Sequence, residues 1–268
     1  PLLATPLENP FDFGFLADGR VVFVSYHDPR VLTLGADGTL ETIAGAGDGV
    51  VGVRGDEGDG GPATAALFMQ LDGIAVAPDD TVYVSDSLAN RVRRIAGGII
   101  TTVAGTGETG LHGDGGPATA ATLHWPGALE LDADGNLFIV DTFNHAIRRL
   151  AVDGTITTVV GIGTEGGSGD GGPATAAQLS QPFGLARAAD GTLYIGDRGN
   201  FKIRRVGPDG VIDTIVGTGV EGATGDDGPA LAATLGYTAR LALDLDGDSE
   251  GLLIVDQSNS RVRRLTLR

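Results

Sequence analysis

A repeat of roughly 56 residues constrains this chain more than any single motif does. The aspartate of the stretch GDGGPATAA, Gly169–Ala177, recurs as Asp59, Asp114, Asp170 and Asp226, in steps of 55, 56 and 56 residues. A strand-like run ending in Asp keeps the same beat at Asp86, Asp141, Asp197 and Asp256, with steps of 55, 56 and 59. Two independent markers on one period identify a repeat architecture in which each copy is one supersecondary unit.

One copy, Gln181–Gly219, reads QPFGLARAADGTLYIGDRGNFKIRRVGPDGVIDTIVGTG. GLARA is a short apolar strand, TLYIGD alternates and is rich in β-formers, KIRRV is a third strand and IDTIVG a fourth. Asp-Gly turns between such strands predict an antiparallel meander, one propeller blade. The same register places blades at about 11–45, 71–105, 126–161, 182–217 and 237–268, so residues 1–268 are expected to form a single all-β domain, a five-bladed β-propeller. The 45 glycines suit a chain of short strands and tight turns. The last copy stops after its third strand, at RVRRLTL. PLLATPLENPF at the N-terminus aligns with PATAAQLSQPF at Pro173–Phe183. Either that N-terminal segment pairs with the last blade, or the last blade stays three-stranded with an open edge.

Three segments, DTFNHAIRRL, DRGNFKIRRV and DQSNSRVRRL, resemble the core of NHL repeats, with its Asp, its Asn two residues before a basic position, and its Arg pair. The linker TVAGTGETGLHGDGGPATAATLHWPGAL resembles the long-linker bacterial form of those repeats. The likeness covers almost the whole chain and implies the propeller fold. For function it implies several classes, from protein- and RNA-binding modules and receptor ectodomains to lyase- and lactonase-like enzymes, and a shared fold does not select among them. The first copy departs from the pattern: Ser25 stands at the strand-end Asp, and Leu32-Thr33 at the Arg pair.

Charge narrows the partners. Acids outnumber Lys and Arg by 35 to 18, a net charge of −17, which opposes nucleic acid and anionic membranes. The expected partner is a protein or a small-molecule ligand, and the expected state a monomer. Zero cysteines exclude disulfides, thiolate zinc sites and cysteine nucleophiles. The start at Pro1 leads us to expect that an upstream segment was removed, a signal peptide among the options, which fits a secreted or periplasmic bacterial protein.

The GDGGPATAA motif invites a phosphate-loop or a calcium-loop reading. A phosphate loop would carry Lys-Ser or Lys-Thr, which none of the four copies does. Calcium needs several oxygen ligands and each copy offers one or two acids, so calcium is the minority reading and a structural linker the main one. Pro and the Ala-rich run predict one or two helical turns, with the Asp before them as a cap. The repeated strand-end Asp is expected to accept backbone N–H groups in the next turn, Asn to take the left-handed position there, and the Arg pairs to bridge acids of neighbouring blades.

Function should sit where the repeats disagree. Aligned inner strands place Asp12, Gly73, Ala128, Gly184 and Arg240 at one position and Gly14, Ala75, Glu130, Ala186 and Ala242 at another. Asp12, Glu130 and Arg240 break the run of small residues and are costly to bury alone, so they form a candidate cluster at a channel mouth. An Asp12–Arg240 ion pair joining the first and last blades is the structural alternative. His27 and His145 fall between second and third strands, and His112 and His124 in the linkers. Met69, Trp125, Phe183 and Tyr237 lie at linker ends on the same expected face. The reading that results is a binding module whose contacts are Asp12, His124, Trp125, Glu130, Tyr237 and Arg240. The alternative is a metal-dependent lactonase- or lyase-like enzyme with Asp12 or Glu130 as ligand or base. A third reading is a purely structural segment of a larger extracellular protein.

Overall fold

The computed structural model describes residues 10–26, 29–35, 37–46, 54–244 and 250–267. Its strands come in five antiparallel sheets, built from short apolar runs separated by Gly turns. The first sheet runs β1 (Pro10–Phe15), β2 (Val21–Ser25), β3 (Val31–Leu34) and β4 (Leu40–Ala44), and the second β5 (Leu71–Val76), β6 (Val82–Asp86), β7 (Arg91–Ala96) and β8 (Ile99–Ala104). The third holds β9 (Pro126–Leu131), β10 (Leu137–Asp141), β11 (Ala146–Leu150) and β12 (Ile156–Val160). In the fourth, β14 (Leu185–Arg187), β15 (Leu193–Asp197), β16 (Lys202–Val206) and β17 (Val211–Val216) follow the same meander, and a two-residue strand β13 (Gly172–Pro173) adds to the outer edge of β17. The fifth sheet has three strands among the described residues, β18 (Thr238–Asp244), β19 (Gly251–Asp256) and β20 (Arg261–Thr266). The alternative in which the N-terminal segment completes it concerns residues 1–9, outside the described residues.

Contacts divide the chain into two compact units, residues 1–131 with 150–156, and residues 132–149 with 157–268. Each has an apolar core where strand residues alternate inward. In the first unit Val22, Val24, Phe68, Leu71, Val84 and Ile100 pack together, all essentially sealed from water. In the second, Ala186, Ile203, Leu235, Leu241, Leu252 and Ile254 do the same. Phe68 and Leu235 come from linkers, so the linkers contribute to the cores of the units they belong to.

The linker motif is explained by packing. Gly169 has φ +105°, and a Cβ there would lie 2.7 Å from the Cα of Ala177, so the first Gly and the last Ala of GDGGPATAA are two halves of one close contact. The Ala-rich run forms only a three-residue 3-10 turn, Ala174–Ala176, whose cap position is Pro173, with no side-chain cap. The equivalent turns at Ala63–Ala65, Ala118–Ala120 and Ala230–Ala232 are the same. The expected Asp cap is therefore absent. A turn this short has few open N–H groups to satisfy, and the aspartate is engaged elsewhere.

Its partner is a buried arginine on the third strand of the blade that follows. Arg204, fully buried, donates from Nε and Nη2 to Oδ1 of Asp170, at 3.1 and 2.7 Å, and from Nη1 to the carbonyl of Gln178 and to Oδ2 of Asp197, both at 3.2 Å. Arg93 holds Asp59 in the same way, at 3.0 and 2.8 Å, and Arg263 holds Asp226, with Nε at 2.8 Å. A buried guanidinium is costly unless its donors are met, and here linker acid, strand-end acid and linker carbonyls meet them together. The arginines thus tie the second, fourth and fifth blades to their own incoming linkers. In the first copy Leu32 takes the arginine's place and is itself buried, an apolar replacement for the ion cluster.

Two details differ from the expectations drawn from sequence. The strand-end carboxylates accept N–H groups of the preceding linker rather than the following turn: Asp86 from Met69 and Gln70, Asp197 from Ser180, Asp256 from Gly236. The left-handed position falls one residue later than expected. His145, Phe201 and Ser260 have φ of 53°, 53° and 51°, while Asn144, Asn200 and Asn259 lie within the preceding turns and donate to the strand-end carboxylates.

Candidate functional site

The variable side chains gather at a recurring joint. In each of three copies the residue at the left-handed turn meets the last residue of the next linker. Asn90 Oδ1 accepts the backbone N–H of Trp125 at 2.9 Å, and His145 Nδ1 accepts that of Gln181 at 3.1 Å. The ring of Phe201 stacks on that of Tyr237 with centroids 5.6 Å apart. The backbone plan repeats and the side chains do not.

In the first unit the joint fixes Trp125, the sole tryptophan. Its φ is +57°, in the left-handed region that bulky residues rarely adopt, and Gln181 at the equivalent joint has φ +45°. Its indole N–H donates to Oδ2 of Asp72 at 2.8 Å. Asp72 is almost fully buried, and its other oxygen accepts from Gln70 Nε2 at 3.1 Å, while Gln70 Nε2 also reaches Ser87 Oγ at 3.2 Å. A chain of buried polar groups thus holds the half-exposed indole in place. His124, beside it in the linker, is half-buried, as is Glu130 on β9. Asp12, on β1, accepts from its neighbour's N–H (Phe13) and, through Oδ2, from Ile74 N–H on β5 at 3.1 Å, so it joins the first two blades.

In the second unit the joint grows into a stack. Arg198 lies over the rings of Tyr237 and Phe183, at 4.7 and 5.1 Å, and Arg240 lies over Phe183 at 5.3 Å. With the Phe201–Tyr237 pair, the stack runs Phe201, Tyr237, Arg198, Phe183 and Arg240, rings and guanidinium groups alternating from Tyr237 on. Tyr237 is 41% exposed and Phe183 is 6% exposed, so the stack runs from solvent into the unit.

Of the residues singled out from sequence, Asp12, His124, Trp125 and Glu130 belong to the first unit, and Tyr237 and Arg240 to the second. Tyr237 and Arg240 both join the stack around Phe183 and Arg198; Asp12 accepts from Ile74 N–H, and Trp125 donates to Asp72. His27 lies outside the described residues. Sequence reasoning missed Arg198, Phe201, Asn90 and Asp72. The usable signal was there: Arg198 stands where three other copies have Ser87, Thr142 and Gln257, and Phe201 where they have Asn90, His145 and Ser260.

Electrostatics at the strand ends differ between copies. Asp86 is pushed up to about 7 by burial, against the pull of the Gln70 and Met69 N–H groups and of Arg93. Burial also raises Asp197, and there the Ser180 N–H, Asn200 and Arg204 oppose it. Among the described residues, no three or more His, Cys, Asp and Glu side chains stand together as a metal would need, and no helix is long and apolar enough to cross a membrane.

Comparison with known proteins places the fold. The Teneurin NHL domain family matches residues 163–224. Human Teneurin-4 is 30% identical over 251 residues, 83% of this chain and 9% of its own length, and mouse Teneurin-3 is 29% identical over 232 residues, 75% and 8%. The chloroplastic Protein SUPPRESSOR OF QUENCHING 1 of Arabidopsis thaliana is 29% identical over 180 residues, 62% of this chain and 17% of its own length. The chain spans less than a fifth of the length of these curated relatives. Among solved structures, an auxiliary nutrient binding protein from Bacteroides ovatus matches with a TM-score of 0.68 at 15% identity, covering 97% of this chain and 60% of that one. Virginiamycin B lyase from Staphylococcus aureus matches at 0.55 and 16%, covering 98% and 83%. Five antiparallel meander sheets and these likenesses define a five-bladed β-propeller. The chain is an NHL-repeat propeller.

Proposed function

We propose that this chain is a binding module that holds a ligand or partner protein with the variable residues at its linker ends. Trp125, with Asn90 and Asp72 behind it, is the station in the first unit; Tyr237, with Phe183, Arg198, Phe201 and Arg240, is the station in the second. The carrying observation is the joint itself, in which one backbone plan presents Trp125, Gln181 and Tyr237 on Asn90, His145 and Phe201. A scaffold that keeps its frame and varies its exposed side chains suits recognition. Aromatic and Arg side chains dominate binding hot spots, which fits both stations. The fold likeness to nutrient-binding proteins agrees with this reading and with a site of action outside the cytoplasm. The enzyme reading, with Asp12 or Glu130 as metal ligand or base, leans on the likeness to a lyase and has no donor cluster among the described residues to carry it.

The sole tryptophan makes the test direct. Titrating the protein with a panel of neutral and acidic oligosaccharides and short peptides, while following Trp125 emission and melting temperature, should find at least one ligand. Its affinity should fall at least tenfold in Trp125→Ala or Tyr237→Ala. A ligand whose affinity is unchanged in both variants would place recognition elsewhere and refute the reading.

A further inference from the structure

Beside Ala89, in the second blade, we infer a site for a single ammonium-type monocation, ammonium itself or a primary amine head, held by Asp86, Asp56 and the carbonyl of Gly55. The sister copies mark the position. In the fourth blade Asn200 Nδ2 donates to Oδ2 of Asp197 at 2.8 Å and to the carbonyl of Gly166 at 2.7 Å. In the fifth Asn259 Nδ2 donates to Oδ2 of Asp256 at 2.9 Å and to the carbonyl of Gly222 at 2.8 Å. One nitrogen thus bridges a strand-end carboxylate and a linker carbonyl. The second blade keeps both acceptors. The Gly55 N–H donates to the carbonyl of Phe68 as Gly166 does to Leu179 and Gly222 to Leu235, and Asp86 ends β6 as Asp197 ends β15. The nitrogen is what this blade lacks, because Ala89 stands at the Asn. Oδ2 of Asp86, in a residue sealed from water, makes no hydrogen bond. Arg93 Nη1 stands 4.0 Å from it, where Arg204 Nη1 comes within 3.2 Å of Asp197.

A second change in the same copy selects a charged donor over a neutral one. The residue after the linker glycine is Asp56 here, against Leu111, Gly167 and Ala223 in the other linkers. That position adjoins the nitrogen's: a Cβ built on Gly167 would lie 3.2 Å from Asn200 Nδ2. Ala223 carries a Cβ there while Asn259 still bridges, so a side chain and a bridging nitrogen fit together. The copy that gives up a neutral amide therefore gains a carboxylate at the same spot. Arg91 pairs with Oδ2 of Asp56, but Arg261 pairs with Asp226 in the fifth blade, so that cation does not set the second blade apart. The other charged groups around Asp86 are Arg93 on β7, Asp59 on the far side of Arg93, and Asp72 on β5, joined to Asp86 through Gln70. Burial pushes the Asp86 carboxyl up to about 7, and the charge of Asp56 adds to the rise. A water would donate to the same two oxygens and leave the carboxylates repelling each other; a cation with N–H groups satisfies both demands.

Thermal melts of the whole chain in ammonium, methylammonium, potassium and tetramethylammonium chlorides at matched ionic strength test this; tetramethylammonium has the charge without an N–H. At pH 8 ammonium and methylammonium should raise the melting temperature of the wild type by about 2 °C or more beyond the other two salts. The gain should vanish in Ala89→Asn, whose own amide takes the place, and fall in Asp56→Ala, which removes the added acid. It should also shrink at pH 5, where a proton holds Asp86 and competes with the cation. An equal gain in wild type and Ala89→Asn would be a general salt effect and would overturn the site. Potassium matching ammonium would overturn the N–H-donating class, and tetramethylammonium matching it would leave the place to water. Absence of any gain in the wild type would overturn the inference outright. The comparison of salts on the wild type stands whether or not a variant folds, and ligand recognition at Trp125 and Tyr237 is judged separately by its own titrations.

Discussion

Replacing Ala89 with Asn should stabilise the protein, and by an amount that depends on pH. In the third, fourth and fifth blades an Asn three residues after the strand-end Asp donates to its outer oxygen: Asn144 to Asp141 at 2.8 Å, Asn200 to Asp197 at 2.8 Å, Asn259 to Asp256 at 2.9 Å. The second blade has Ala89 there, and Asp86 Oδ2, fully buried, makes no hydrogen bond; Arg93 Nη1 stands 4.0 Å away. Burial without that donor raises the Asp86 carboxyl from 3.8 to about 7. A shift of that size corresponds to roughly 4 kcal/mol of disfavour for the charged form, an upper bound on what a donor can recover. A hydrogen bond to a charged group contributes about 1.5–3 kcal/mol, and ordering the Asn side chain takes some back, so we expect about 1–2 kcal/mol at pH 8. For a chain of this size that is roughly 2–8 °C in melting temperature. The sign follows from proton linkage. The native protein holds at Asp86 a proton that the unfolded chain has released, so this group's contribution falls as pH rises from about 4 to about 7 and is level above. The Asn variant lowers the native value and reduces that fall. Urea unfolding of both proteins at pH 5, 6.5 and 8 should show a gain that grows with pH, and the difference between the two cancels the other titrating groups. An equal gain at pH 5 and 8, or a loss at pH 8, would refute the account of Asp86.

Two further substitutions test the linker. Gly169→Ala should destabilise by about 2 kcal/mol or more, because it combines φ +105° with a Cβ 2.7 Å from the Ala177 backbone, and thermal melts would read it. The same change at Gly171, which has positive φ but nothing within 4 Å, should cost about 1 kcal/mol, which separates crowding from backbone strain. Asp170→Asn should cost about 3 kcal/mol in denaturant unfolding, since it leaves buried Arg204 relying on Asp197 for its carboxylate; a loss under 1 kcal/mol would show that the linker acid is dispensable.

The blades were legible because strand alternation and Asp-Gly turns are local, and the period repeats them. The role of the linker aspartate was not, since its partner lies 34 residues away in two copies and 37 in a third. Local spacing suggested a cap, and only the fold brings Asp170 to Arg204. The left-handed turn was misplaced by one residue because Asn is the familiar occupant of that conformation, whereas here the carboxylate of Asp197 draws Asn200 inward and passes the strained position to Phe201. At the candidate site, comparing inner strands found Arg240 and comparing linker ends found Tyr237. Arg198 and Phe201 escaped because the turns between second and third strands were read as architecture, and their variation was not aligned.

Gly172 and Pro173 pair with Ile212 and Val211 on β17, and Pro62 and Pro117 bridge to Ile99 and Thr155 in the same manner. A linker therefore lies along the outer strand of the blade it introduces, and supplies the acid for that blade's buried arginine. The natural module of this protein thus begins at the linker glycine rather than at the inner strand. A duplication or graft cut at that glycine carries both the edge cover and the counter-ion with it. One cut at the inner strand would deliver a blade with a bare edge and an arginine in want of its acid.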